Sequence, residues 1–557
     1  MNKILLLGFI LISGWGSFFV TAQRKSKEKA QQLQVEQTVV PKLIVGVIVD
    51  QMRFDYLTRF ANHYGEGGFQ RLIRKGFNCR NNHFNYSETS TAPGHASVYT
   101  GSTPSVHGIV GNNWYDKVSK QMVYCVADPE YSSLGTTSDA GQMSPHRLNA
   151  PTITDKLRTH FQLRSKVISI SIKDRGAVLP AGFTANAAYW FRGYSEGKWI
   201  SSSFYMDELP QWVSDFNASG IAASYKKTWN TLKEINQYLE SGPDSNKYEE
   251  AFAGENGPVF PHRLDEIWDT NNRFELIKSS PYGNSLTTDF AIAAIDNENL
   301  GKDQYTDFLA ISYSSTDIVG HQFGVNSKEI QDMYLRLDLE LERLMETLDN
   351  EVGEGEYTLF LTADHGAMNV SSYLEDLKIP AGLLGIDKYN DRFEEFLRYK
   401  YGTTDIIQHR SNKYLFFNYD VIANLGLERQ KVEEDIRREI LTYDPIDRVY
   451  TADQLLNSSY VDGISNLVQN TYNPKRSGDL LLIYKAANTA YGATGSDHGS
   501  PYKYDTHVPL IFYGAGINNG STVNRTNITD IAPTIATLLG IAFPDGSQGE
   551  PIKAVLK

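Results

Sequence analysis

The strongest pattern along the chain is a series of short, unbroken apolar runs, each ending on charged or histidine-bearing residues. Leu43–Val49 (LIVGVIV) runs straight into Asp50. Lys166–Ile172 leads into Lys173-Asp174-Arg175, Asp307–Tyr313 into Ser314 and Asp317, and Tyr357–Leu361 into Thr362-Ala363-Asp364-His365. Val508–Tyr513 is a further run. Runs without alternation suit strands buried on both faces of a parallel sheet. Helical patterns lie between them. After Ser327, the residues Ile330, Met333, Tyr334, Leu337, Leu341, Leu344, Met345 and Leu348 recur at three and four. The opposite face is rich in Glu, Asp and Arg, and Ser327 is placed to cap the helix. Alternating strands and helices predict an α/β fold: a doubly wound, mostly parallel central sheet with helices on both faces. Ligands of such sheets bind beyond the carboxyl ends of the strands. The four charged strand ends are therefore expected to form one composite site.

Two stretches break this rhythm. Residues at about 183–284 are rich in Tyr, Trp, Ser, Asn and Gly, and about 370–478 carry mixed elements of their own. Both read as insertions into one catalytic domain over 41–557. At the front, Lys3, the apolar stretch Ile4–Val20 and the small-residue site Val20-Thr21-Ala22 predict a signal peptide over 1–22. Gly8, Gly14 and Gly16 interrupt that stretch, which is too short to read as a membrane span. An uncleaved anchor is the alternative. Residues 23–40, charged and Gln-rich, read as a linker. No later run approaches a spanning length, so the mature chain is expected to be soluble and exported, to the periplasm or beyond.

Charge narrows the classes. Removing Lys3 with the leader takes the formal net charge from −13 to −14. A nucleic-acid-binding protein would show a basic excess instead, whereas carboxylate metal ligands raise the acidic count. The two cysteines, Cys79 and Cys125, are too few for a disulfide scaffold. They are either one bridge or two separate buried thiols.

The candidate chemistry lies in compact groups. Asp317-x-x-x-His321 places two ligands one turn apart if helical. Asp364-His365 is an adjacent pair, Asp497-His498 lies in a glycine-flanked loop, and Asp50 closes the first strand. These are N and O ligands of the kind zinc accepts, enough for two ions. Each group alone is more often a surface or hydrogen-bonding pair; their common position at strand ends and glycine turns makes the case. In Thr89-Ser90-Thr91-Ala92-Pro93-Gly94-His95, the Pro-Gly pair predicts a turn into a short helix. An oxygen just before a helix start meets unpaired N–H groups, a setting suited to a phosphoryl group. Taken alone, such a Ser/Thr cluster is an ordinary N-cap.

In order and spacing, Asp50, Thr91-x-Pro93-x-His95, Asp317-x-x-x-His321, Asp364-His365 and His498 resemble the alkaline phosphatase superfamily from about residue 43 to 540. The resemblance is closest to the phosphate-irrepressible, PafA-like alkaline phosphatases, which use threonine; the nucleotide pyrophosphatase/phosphodiesterase branch shares Thr-x-Pro-x-His. It implies a phosphomonoesterase with Thr91 as nucleophile and two Zn2+ ions. Asp317, His321 and His498 would hold one; Asp50, Asp364 and His365 would hold the other, which also contacts the Thr91 oxygen. Asn112, Lys173 and Arg175 would bind the phosphoryl oxygens. Small-molecule phosphate monoesters are the expected substrates. Lys173 and Arg175 favour them over diesters, since a monoester dianion carries one more negative charge. A phosphodiesterase on the same scaffold is the alternative. Sulfatases place Cys or Ser and Arg where Thr91 and His95 stand. His507, His63, His83, His107 and His146 are read as structural or supporting residues.

Overall fold

The structure, a computed structural model, describes residues 40–384, 386–411, 413–490 and 492–557. The expected signal peptide and all but the last residue of the 23–40 linker lie outside the described residues. Ten strands form the main sheet: β1 (Leu43–Val49), β2 (Phe77–Cys79), β3 (Ser133–Leu134), β4 (Val167–Ser171), β5 (Ala187–Arg192), β6 (Lys198–Ser202), β7 (Asp307–Tyr313), β8 (Tyr357–Thr362), β9 (Leu510–Gly514) and β10 (Gly520–Thr522). Their order is β10-β2-β9-β8-β1-β7-β4-β5-β6-β3. The central five, β8-β1-β7-β4-β5, are parallel. Antiparallel pairings flank them on both sides.

Register decides where the site falls. Val49 pairs with Tyr313, Ile48 with Thr362, and Ser312 with Ser171. The carboxyl ends of β1, β7, β8 and β4 are thus level, and the residues that follow them leave the sheet together. Every residue of β1, β4, β7 and β8 is buried, as the unbroken apolar runs predict.

Five helices matter for the site: α1 (Thr91–Thr100), α2 (Asp174–Ala181), α3 (Pro281–Asn297), α4 (Ser315–Phe323) and α5 (Lys328–Leu348). The Ser327 hydroxyl accepts from the Ile330 N–H at 3.0 Å, making the expected cap of α5. All eight apolar positions of its stripe are buried. So are Glu329, Gln331, Asp332 and Asp338. Segment 229–262 covers part of that second face, where the Trp229 indole donates to Asp332 at 2.7 Å and His262 meets Glu329 at 3.1 Å, while Asp338 accepts from the Gly65 and Phe69 N–H groups.

The first presumed insertion, 183–284, therefore needs correcting. Its opening supplies β5 and β6 to the main sheet, and its later part packs on α5. The aromatic β5 sequence (AAYWFR) pairs with β4 over Ala187–Trp190 but lacks the aliphatic run that marks the other central strands. The second stretch forms a separate four-stranded antiparallel sheet in the order Ile407–Arg410, Tyr414–Phe417, Leu480–Tyr484, Ile446–Thr451. It has its own apolar cluster around Leu397, Ile436 and Leu480, and its last paired strand extends to Tyr484, past the expected boundary at 478. Cys79 and Cys125 are separate buried thiols.

Candidate active site

The level strand ends deliver the expected residues to one buried spot. Asp50 follows β1, Asp317 lies in the first turn of α4 after β7, Asp364 and His365 follow β8, and Lys173 follows β4. Asp50, Asp364 and His365 are 0 % exposed, and Asp317 is 4 % exposed. His321, one turn along α4, sets its Nε2 3.2 Å from Asp317 Oδ1, and His498 approaches the same oxygen at 3.6 Å. The Nδ1 atoms of both imidazoles lie 2.8 Å from backbone carbonyls, of Ser496 and Thr89. A carbonyl only accepts, so both rings donate from Nδ1 and turn Nε2 toward Asp317, whose carboxylate raises the pKa of His321 against the effect of burial.

Among the described residues, two groups of ligand atoms lie close enough to hold an ion: Asp317, His321 and His498, and Asp50, Asp317 and His365. The first is the set expected for one metal. The second departs from the expected trio by exchanging Asp364 for Asp317. Hydrogen bonding bears on the difference. Asp50 Oδ1, Asp364 Oδ2 and His365 Nε2 are all buried without a hydrogen-bond partner. Those three atoms belong to the expected trio, and a buried polar atom left unpaired costs free energy that a cation would recover. Burial and the adjacent Asp50 charge push the Asp364 carboxyl well above its usual range. Burial, with His365 and His321 beside it, pushes His498 well below its own. Buried carboxylates beside His365 and His498, whose burial disfavours the charged ring, fit a divalent cation.

Lys173 joins the two ligand groups, its Nζ lying 2.7 Å from Asp50 and 2.6 Å from Asp317. Burial opposes its charge, but Asp317 and Asp50 outweigh burial and raise its pKa. Arg175 reaches the Tyr124 hydroxyl at 3.3 Å, and that hydroxyl donates in turn to Asp174. The Arg175 Nε is buried without a partner.

α1 begins at Thr91 itself, so Pro93 and Gly94 lie inside its first turn and not in a turn ahead of it. Proline is tolerated there because the first N–H groups have no intrahelical acceptor. Asn112 Oδ1 accepts the Ala92 N–H at 2.9 Å and so fixes the helix start. Gly94 is needed for close approach, since a methyl group there would overlap the Asp364 carbonyl oxygen. Gly94→Ala is expected to cost about 1–3 kcal/mol through overpacking and to displace Asp364. Thermal melts and turnover should both fall; wild-type values for both would disprove the contact.

Three residues take roles that the sequence reading did not assign. Gln51, at φ 64°, donates from Nε2 to Asp317 at 2.7 Å and from its backbone to Asp364 at 3.2 Å. His95 sets Nδ1 2.8 Å from the Thr91 carbonyl and Nε2 2.9 Å from the Ser312 hydroxyl, and burial lowers its pKa to about 4. It is a neutral strut between α1 and β7. Ser312 is the third. Adjacency to Asp50 and the Thr-x-Pro-x-His pattern were the only sequence signals for the first two. The other histidines sit elsewhere: His507 stacks on Phe54 and His83, His63 pairs with Glu240, His107 with Ser97 and His146 with Asp128.

Comparison with known proteins gives the family. The family model for type I phosphodiesterase / nucleotide pyrophosphatase matches residues 44–508. The chain belongs to that family. Within it, the chain groups with the PafA-like alkaline phosphatases. It is 42% identical to alkaline phosphatase PafA of Elizabethkingia meningoseptica, over 93% of this chain and 94% of that protein. A crystal structure of PafA superposes with a TM-score of 0.89, covering 93% of this chain and 99% of that one. Alkaline phosphatase PhoV of Synechococcus elongatus is 43% identical over 96% of each chain. A protein of Myroides odoratus named calcium-transporting ATPase is 42% identical over 94% of this chain and 96% of its own. In the present family member, no helix among the described residues is long and apolar enough to cross a membrane.

Proposed function

We propose that this chain is an exported alkaline phosphatase that hydrolyses phosphate monoesters through a phosphothreonine at Thr91. What supports this reading is a threonine in the first turn of a helix, two overlapping acidic-imidazole clusters at the strand ends, and unspent donors on Asn112, Lys173 and Arg175. Asp317, His321 and His498 would hold one zinc ion, and Asp50, Asp364 and His365 a second. Bound zinc supplies charge stabilisation for the transferring group and lowers the pKa of a coordinated hydroxyl.

The chain's own residues do the rest. The Thr91 oxygen bonds to phosphorus in line with the departing ester oxygen, whose bond to phosphorus breaks. Water then cleaves the phosphothreonine and phosphate is released. Asn112 spends its oxygen on the Ala92 N–H, so its amide N–H groups are available to a phosphoryl oxygen. Lys173 has three N–H donors and commits two to Asp50 and Asp317. The third, with the Arg175 Nε, can meet the extra charge of a monoester dianion. Export rests on the leader pattern of residues 1–22.

The test compares kcat/KM of the zinc-loaded chain for an aryl phosphate and its matched diester, with a chelated control. A large monoester preference supports this reading; a diester preference would move the chain to the phosphodiesterase branch. Chelation is expected to lower activity by more than about 10³-fold, because the buried acids lose their counter-charge, and to lower Tm by several degrees. Activity unchanged after dialysis against a strong chelator would refute metal dependence.

A further inference from the structure

A cavity of about 630 Å³ opens beside Asn112 and His498 and extends to the four-stranded sheet. That size accommodates a small organic ligand. Its charges are unequally matched. Lys413 pairs with Glu88 at 2.9 Å, and Lys485 with Asp444 at 2.9 Å. Of the acids, Asp497 accepts the His498 N–H and the Thr489 hydroxyl. Burial pushes Asp505 up to about 8, so near neutrality it adds little negative charge. Arg410, at the end of the strand Ile407–Arg410, differs. Its guanidinium lies 4.8 Å over the Phe393 ring, with Glu394 no nearer than 3.8 Å. Among the described residues, it is the cavity's cation without a carboxylate at hydrogen-bond distance.

We propose that this cavity receives the leaving group, and that Arg410 selects phosphate monoesters whose leaving group carries a second anionic group, a carboxylate or another phosphate. The guanidinium fork matches either group bidentately, and Glu394, bonded to Arg398 at 2.7 Å, stays beyond hydrogen-bond distance of Arg410. Ser90, next to Thr91, shares the cavity lining with Asn112, His498 and Arg410, so the leaving group of an ester held at Thr91 would enter the space that Arg410 faces. This rests on the phosphomonoesterase reading above.

The test uses the full zinc-loaded chain with phenyl phosphate and 4-(carboxymethyl)phenyl phosphate, whose phenols differ little in acidity. Wild type is expected to favour the carboxylated ester by about tenfold in kcat/KM, mainly through KM. Arg410→Gln should lose about tenfold more on that ester than on phenyl phosphate, and Arg410→Lys less. Added salt should erode the wild-type preference, a measurement that needs no variant. Equal kcat/KM for the two esters in wild type, or a preference surviving in Arg410→Gln, would overturn the assignment of Arg410 while leaving the monoesterase standing. Failure of wild type to hydrolyse either ester would remove the underlying reading instead.

Discussion

Thr91→Ala is expected to lower kcat/KM for a phosphate monoester by on the order of 10⁴-fold or more, as loss of a covalent nucleophile does elsewhere. The fold should not change with it. Thr91 occupies the first position of α1, one residue past the N-cap Ser90, so its side chain is not the cap. The Ala92 N–H would still find Asn112, and the Thr91 backbone carbonyl would still meet His95. Loss of one buried hydroxyl and methyl should cost about 1–2 kcal/mol of stability. Activity and Tm therefore separate, which an N-cap role for this residue would not allow. Thr91→Ser keeps the oxygen and should retain activity within about tenfold, and acid quenching of wild type during turnover should trap phosphate on Thr91. An active Thr91→Ala chain would end the nucleophile assignment.

Much of this site was legible before the structure because the sheet makes it so. A parallel strand buried on both faces must be apolar throughout, so its last residue is marked by the first charge after it. Asp50, Lys173, Asp317 and Asp364 were each found at such a break, and level registry of β1, β7, β8 and β4 then brings them together. Gln51 carried no such mark. Its role depends on a left-handed backbone conformation that turns its amide toward Asp317 and its N–H toward Asp364. Nothing in a lone glutamine announces that. His95 had a motif but no visible partner, because Ser312 is 217 residues away in sequence. β5 was missed for a related reason: aromatic residues replace the aliphatic run, so the pattern that located its neighbours is absent. The polar face of α5 gave no sign of burial, yet segment 229–262 covers Asp332 and Glu329, and the Gly65 and Phe69 N–H groups hold Asp338. Periodicity reports which side of a helix is polar, not whether another segment supplies the partners.

Lys173 and Arg175 should decide between ester classes, and their removal is the second large effect. Lys173→Ala is expected to lower kcat/KM for the monoester by about 10²–10³-fold, the scale of losing a charged donor to a developing anion, and for the diester by about tenfold or less. Lys173 also neutralises two buried carboxylates, Asp50 and Asp317. A loss in the alanine variant could therefore reflect weakened metal binding in place of lost phosphate recognition. Arg175 separates the two. It contacts the Tyr124 hydroxyl and neither of those acids, and its Nε is the buried donor without a partner. Arg175→Ala should shift the monoester-to-diester ratio in the same direction as Lys173→Ala while leaving bound zinc per chain unchanged. If both variants depress both esters equally at full zinc occupancy, the pair assembles the site without reading charge. The family's diesterase chemistry would then be the better description of this member.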